Sequence, residues 1–149
     1  MIRLDKVKAT AHLVNFTFAT DLENGAVVAL GDLQADGETY TATAPVAVAT
    51  DRIVLHASVP MDYDNAALEV DFKLKAGIEG RGYIPETGDI VTITDDMFVA
   101  APAKGDLVEP VAAGTKLKKV VTDATAKVVA KVIAKEALGG KPASVIEIL

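Results

Sequence analysis

Residues Lys127–Leu149 read KVVAKVIAKEALGGKPASVIEIL, and the fold class turns on how this tail is read. Lys127, Lys131 and Lys135 recur every four residues, which on a helix places them on one face beside Val128 and Val132. The same lysines also occupy one face of a strand, with Val128, Ala130, Val132 and Ala134 on the other. Between Thr125 and Leu138, helix and strand therefore compete. The Gly139-Gly140 pair and the closing run ASVIEIL favour a β-hairpin, Val128–Ala137 against Ala143–Leu149, because two glycines supply the positive φ of a tight turn.

Upstream, the chain reads as short strands between turn signals. Ile90–Thr94 (IVTIT), opened by Gly88-Asp89, is the clearest alternating strand. Ala11–Thr20 alternates with a period near two, and Glu23-Asn24-Gly25 follows as a tight turn. Ala26–Leu30 reads as a buried strand closed by Gly31-Asp32. Asp36-Gly37 turns the chain into Glu38–Ala44, where Thr39, Thr41 and Thr43 share one face. Val46–Thr50 reads as a loop, and Arg52–Val59 as a strand ended by Pro60. Met61–Leu68 is irregular, with room for a short helical turn. Val70–Lys75 and Gly80–Ile84 flank a turn at Gly77, and Leu107–Val111 precedes a turn at Gly114. Strands this short, with turns every 8–12 residues, predict a mainly β fold, either a small β-barrel or a β-sandwich. The expected layout is an N-terminal arm or first strand over residues 1–10, one β-rich domain over 11–149 and the C-terminal β-hairpin.

Composition agrees. The 149 residues are half apolar, with no Trp and no Cys, and carry a formal net charge of −6. A core of Val, Ala, Ile and Leu suits pleated sheet. The acidic balance argues against nucleic acid, whose phosphates demand cations, and against an anionic membrane surface. Absent cysteine removes disulfides, thiol nucleophiles and thiolate metal sites. MIRLDKVKAT has no apolar core of a signal peptide, so the expectation is assembly in a cytoplasm.

The search for chemistry finds no complete constellation. Ser58 and Ser144 lie outside any G-x-S-x-G elbow, and each reads as a strand serine. His12 and His56 do not form a metal-binding pair by spacing. Asp62-Tyr63-Asp64-Asn65 begins like a calcium loop but lacks its later glycine and glutamate, and Asp95-Asp96 stands alone. Gly77–Gly82 and Leu138–Pro142 lack phosphate-loop spacing. Gly105–Leu117 resembles the G-D-x-V…G-x-x-L turn of small barrels, including lipoyl-type domains, in turn chemistry only. No catalytic residue, cofactor or metal is expected.

Several tracts together resemble the head-decoration or auxiliary-capsid proteins of tailed bacteriophages: Met1–Val7 (MIRLDKV), Leu22–Leu33 (LENGAVVALGDL), Arg52–Val59, Gly80–Ile84 (GRGYI), Gly88–Phe98 (GDIVTITDDMF) and Ala143–Leu149. The resemblance implies a non-enzymatic virion protein that binds the major capsid protein on the outer capsid surface. Self-association as a trimer would suit three-fold positions of a shell. The capsid contact is expected in an N-terminal arm carrying Ile2, Arg3, Leu4, Lys6 and Lys8, removable without loss of fold. Two rival expectations are a receptor- or carbohydrate-binding head-fibre or adhesin module, which needs surface aromatics, and a small carboxylate-dependent enzyme, which needs two close acids in a cleft.

Overall fold

The structure, a computed structural model, describes residues 1–7, 12–59 and 71–149. Its strands are β1 (Ile2–Lys6), β2 (Leu13–Phe18), β3 (Leu22–Glu23), β4 (Val27–Leu33), β5 (Thr39–Thr43), β6 (Arg52–His56), β7 (Lys73–Leu74), β8 (Glu79–Tyr83), β9 (Ile90–Thr94), β10 (Leu107–Pro110), β11 (Leu117–Lys119), β12 (Ala130–Leu138) and β13 (Lys141–Ile148). They form a closed barrel, β2-β5-β4-β6-β8, and a six-stranded sheet, β1-β9-β13-β12-β10-β11; β3 and β7 pair as a separate ribbon. The fold is mainly β, with a small barrel as expected.

The barrel closes through a parallel pairing of β2 with β5, running from Asn15 opposite Thr39 to Phe18 opposite Ala42. Five strands enclose little space, and Phe16, fully buried, fills much of it. Room for its ring comes from β8. A Cβ placed on Gly82 would collide with Val54 Cγ1 and lie 3.1 Å from Phe16 Cε1. Val27, Val28 and Ala29 in β4 and Ile53, Val54 and Leu55 in β6 are all buried. One hydrophobic cluster runs from these residues into the sheet, where Ile2, Val91, Ile93, Val108, Val132, Ile146 and Ile148 complete it. Each such side chain contributes roughly 1.5–3 kcal/mol on leaving water.

From Ala130 onward the ambiguous tail is strand, while residues 125–129, including the Val128 and Val129 expected in it, are neither strand nor helix. β12 and β13 pair from Ala130 opposite Ile148 to Leu138 opposite Lys141, with an irregularity between Val132 and Ala134. Gly139 and Gly140 turn the hairpin with φ of 59° and 79°, the conformation a two-residue loop requires. Burial decides against the helix. β13 inserts between β12 and β9, so its apolar run is covered on a sheet face and needs no helical stripe.

Other expectations change in detail. Gly31-Asp32 does not end its strand; β4 continues to Leu33 across a register shift between Leu30 and Leu33. Asn24-Gly25 leads from β3 into β4, and β3 pairs with β7 rather than forming a hairpin with its neighbour. Within Val70–Lys75, Lys73–Leu74 is strand. β11, three residues long, has no alternating pattern to mark it as a strand in the sequence. The irregular Met61–Leu68 stretch lies outside the described residues.

The N-terminal segment takes the first-strand alternative rather than that of a free arm. β1 pairs antiparallel with β9, from Ile2 opposite Ile93 to Lys6 opposite Ile90. Ile2 is buried and Leu4 packs on the core, so the segment cannot be removed without opening the sheet.

Replacing Gly82 with Ala is expected to lower stability by about 1–3 kcal/mol, since a β-branched neighbour and a fully buried ring cannot move aside freely. The shift of the urea midpoint relative to the unmodified chain measures it.

Candidate functional site

The residues expected to form a contact arm are divided by the structure. Ile2 and Leu4 face the core, and Lys6 is exposed; Lys8 lies outside the described residues. Arg3 is engaged on the opposite sheet face. Its Nε donates to Asp5 Oδ1 at 2.5 Å, and its Nη2 donates to Glu136 Oε1 at 2.6 Å and Thr92 Oγ1 at 3.2 Å. Thr92 Oγ1 in turn donates to Asp5 Oδ2 at 2.5 Å. The network joins β1, β9 and β12 and holds the guanidinium against the sheet face.

Of the two serines expected in strands, Ser144 lies in β13 and Ser58 lies just past the end of β6; both have ionisable neighbours. His56 and Ser58 are two residues apart at the end of β6, and His56 is fully buried with its ring edge-on to Phe16, centroids 5.6 Å apart. His56 Nδ1 lies 2.8 Å from the Glu23 carbonyl and Nε2 lies 2.8 Å from Ser58 Oγ. A carbonyl can only accept, so Nδ1 carries the proton and Nε2 accepts from the Ser58 hydroxyl. This is the proton arrangement of a serine–base pair, but acyl transfer also needs donors free to meet an oxyanion. The Ser58 N–H is committed to Asn24 Oδ1 at 2.9 Å, and the Arg81 N–H to Ser58 Oγ at 2.9 Å. Asn24 Nδ2 also donates to the Ser58 carbonyl at 2.9 Å. The group is a polar clasp between β3, β6 and β8, with its hydrogen bonds satisfied internally.

Ser144 is the second case. It donates to Asp95 Oδ1 at 2.7 Å and accepts from Lys135 Nζ at 2.7 Å, while Lys135 also contacts Asp95 Oδ2 at 2.7 Å. Lys135 donates to both partners and presents the serine no acceptor, so it does not stand as the serine's base. The cluster fixes the 3-10 turn Asp95–Met97 onto the hairpin.

Glu109, a buried carboxylate on β10, does the same for a loop. It accepts from Thr125 N at 2.6 Å and Ala126 N at 2.9 Å, and Lys118 Nζ lies 3.3 Å away. Burial disfavours its charge, but the two N–H groups and Lys118 outweigh that and hold its carboxyl below the usual range. Asp95 and Asp96 are likewise bonded within the fold. No group of three metal-ligating side chains occurs among the described residues; Asp62–Asn65 lies outside them. A depression of about 260 Å³ is lined by Leu22, Glu23, Ala26, Lys73, Met97 and Lys116 among others. Glu23 and Lys73 on its rim pair at 2.8 Å.

Several large apolar side chains also stand outside. Val46 is 74 % exposed, Val99 65 % and Val121 93 %, each in a loop. The loops of Val46 and Val121 are tied together, since Lys127 N donates to the Val48 carbonyl at 2.9 Å and Glu109 clamps Thr125. No family model, curated protein or solved structure matches the chain. No helix among the described residues is long and apolar enough to cross a membrane.

None of these ties was legible beforehand except one. The H-x-S spacing on a strand places both side chains on one face, a signal that could have linked His56 to Ser58. Glu109–Thr125 and Lys135–Asp95–Ser144 join residues whose proximity only the tertiary fold creates.

Burial pushes the His56 imidazole down to about 4, against the opposing effect of its bond to Glu23. The unfolded chain, with a value near 6.5, takes up the proton first as pH falls. His56 therefore contributes full stability above about pH 6.5, lost as pH falls toward 4, a decline of roughly 3 kcal/mol. Urea unfolding of the unmodified chain and of His56→Gln across that window should differ in slope, the variant being flatter. Equal slopes would show that the imidazole is not held neutral. Separately, Glu109→Gln is expected to cost about 1–3 kcal/mol and to speed amide exchange at Thr125 and Ala126 before the strands are affected.

Proposed function

We propose that this chain is a non-enzymatic structural virion protein that binds the major capsid protein on the outside of a tailed-phage capsid and decorates or stabilises the shell. The observation that carries this reading is the division of the side chains. His56, Ser58, Ser144, Lys135 and Glu109 are committed to internal ties, while large apolar residues stand exposed on loops of a rigid barrel and sheet. Exposed apolar loop positions on a stiff scaffold suit a protein partner better than a small substrate.

The resemblance to decoration proteins supports the identity of that partner. Its tracts coincide with framework: Leu22–Leu33 spans β3 and β4, Gly80–Ile84 covers most of β8, and Gly88–Phe98 contains β9 and its 3-10 turn. The negative charge suits an outer surface, away from packaged DNA. With Ile2 and Leu4 turned to the core, the exposure of Val46 and Val121 on their joined loops supports a capsid contact there rather than on a free arm.

Purified chain mixed with capsids lacking it should co-sediment and saturate at a fixed copy number. Val121→Asp and Val46→Asp should each weaken binding by about tenfold, the effect of one lost apolar contact of about 1.4 kcal/mol, with thermal unfolding unchanged. Absence of co-sedimentation by the unmodified chain would sink the assignment.

A further inference from the structure

We propose that a second copy of this chain pairs with it through the outer edge of β1, antiparallel and centred on Leu4, joining the two sheets across a twofold axis. β1 ends the six-stranded sheet, and no described strand pairs with its outer side. The opposite edge is covered: Phe98 bridges Leu117 and the Val99 N–H donates to the Leu117 carbonyl at 2.8 Å. The barrel, being closed, offers no edge at all.

The phase of β1 determines what this edge presents. Thr94 N donates to the Met1 carbonyl at 3.0 Å, and Arg3 stands opposite Thr92. Main-chain groups alternate direction along an antiparallel strand. Those of Met1 and Arg3 thus face β9, and the N–H and C=O of Leu4 point outward. A second strand laid antiparallel on Leu4 would exchange both hydrogen bonds with its own Leu4. The irregularity between Leu4 and Lys6 confines the pairing to a short stretch, as befits a reversible contact.

The side chains then select the occupant. In this register Arg3 lies opposite Asp5 of the second copy, and Asp5 opposite Arg3, on the sheet face where the two already pair within one chain. The four charges alternate in sign. On the other face the two Leu4 side chains meet. Charges on an edge strand normally repel foreign strands; this sequence, IRLDK, is complementary to itself when reversed, so it rejects most edges and accepts its own. The twofold pairing differs from the trimer that three-fold shell positions would suit and does not depend on the capsid reading.

The test is sedimentation of the full chain over a concentration series reaching the high-micromolar range. A reversible rise from monomer to dimer mass is expected. Arg3→Asp alone and Asp5→Arg alone should each weaken self-association by about tenfold or more, since like charges then face one another across the strands. An equimolar mixture of the two variants should recover the dimer, which an effect within one chain would not produce. Circular dichroism checks that both variants fold. The chain has no cysteine, so Leu4→Cys, with the charges intact, gives an independent reading: oxidation should yield a covalent dimer, whereas Lys6→Cys should not. A chain that stays monomeric, a mixture of folded variants that stays monomeric, or Leu4→Cys that does not cross-link overturns the proposal.

Discussion

Fitting one aromatic ring inside a five-stranded barrel is the constraint from which much of the rest follows. Phe16 has no exposure, and its ring is accommodated because β8 carries Gly82 where Val54 and Phe16 come close. The same strand carries Gly80, whose missing side chain leaves room for Leu74 and for the His56–Ser58 pair. Close approach of β8 thus brings β3, β6 and β7 to one end of the barrel. A polar clasp can then form there in a place otherwise apolar.

That clasp shows how the molecule handles buried polarity. An unpaired imidazole or carboxylate in such surroundings would be costly. His56 lies between a carbonyl and a hydroxyl, Glu109 accepts two N–H groups, and Ser144 lies between Asp95 and Lys135. Among the described residues no buried side-chain nitrogen or oxygen lacks a partner. Each cluster fastens a loop or turn to a strand, and together they convert short strands with long connections into a rigid body. Groups that look reactive in isolation are thereby made structural.

The sequence was informative where structure is local. Alternation at Ile90–Thr94 and the two glycines of the tail hairpin marked strands and a turn whose causes lie within a few residues. The burial of the final run also resolved a periodicity that helix and strand shared equally. Long-range features were hidden. The parallel β2–β5 pairing joins segments separated by turns that suggested hairpins, and β11 is three residues long. β1 reads as an arm in sequence because Arg3, Lys6 and Lys8 give the segment a basic character, whereas the inward turn of Ile2 and Leu4 depends on pairing with the distant β9. The candidate surface was hidden for a similar reason: Val121 is unremarkable in a list of valines, and only the clamp of Glu109 on its loop leaves it standing outside.

Strand order also governs when the sheet can exist. β13 lies between β9 and β12, so one of the two central strands of the sheet is the last of the sheet's strands to be synthesised. Until it emerges, β9 has β1 on one side and nothing on the other, and the apolar faces of Val91 and Ile93 lack half their cover. Non-local pairing of this kind slows folding and prolongs exposure of sticky intermediates. The barrel, whose strands all precede β9, can close while synthesis continues. The nascent protein would therefore mature in two stages, an early barrel and a late sheet, with the final strand acting as the keystone of the second.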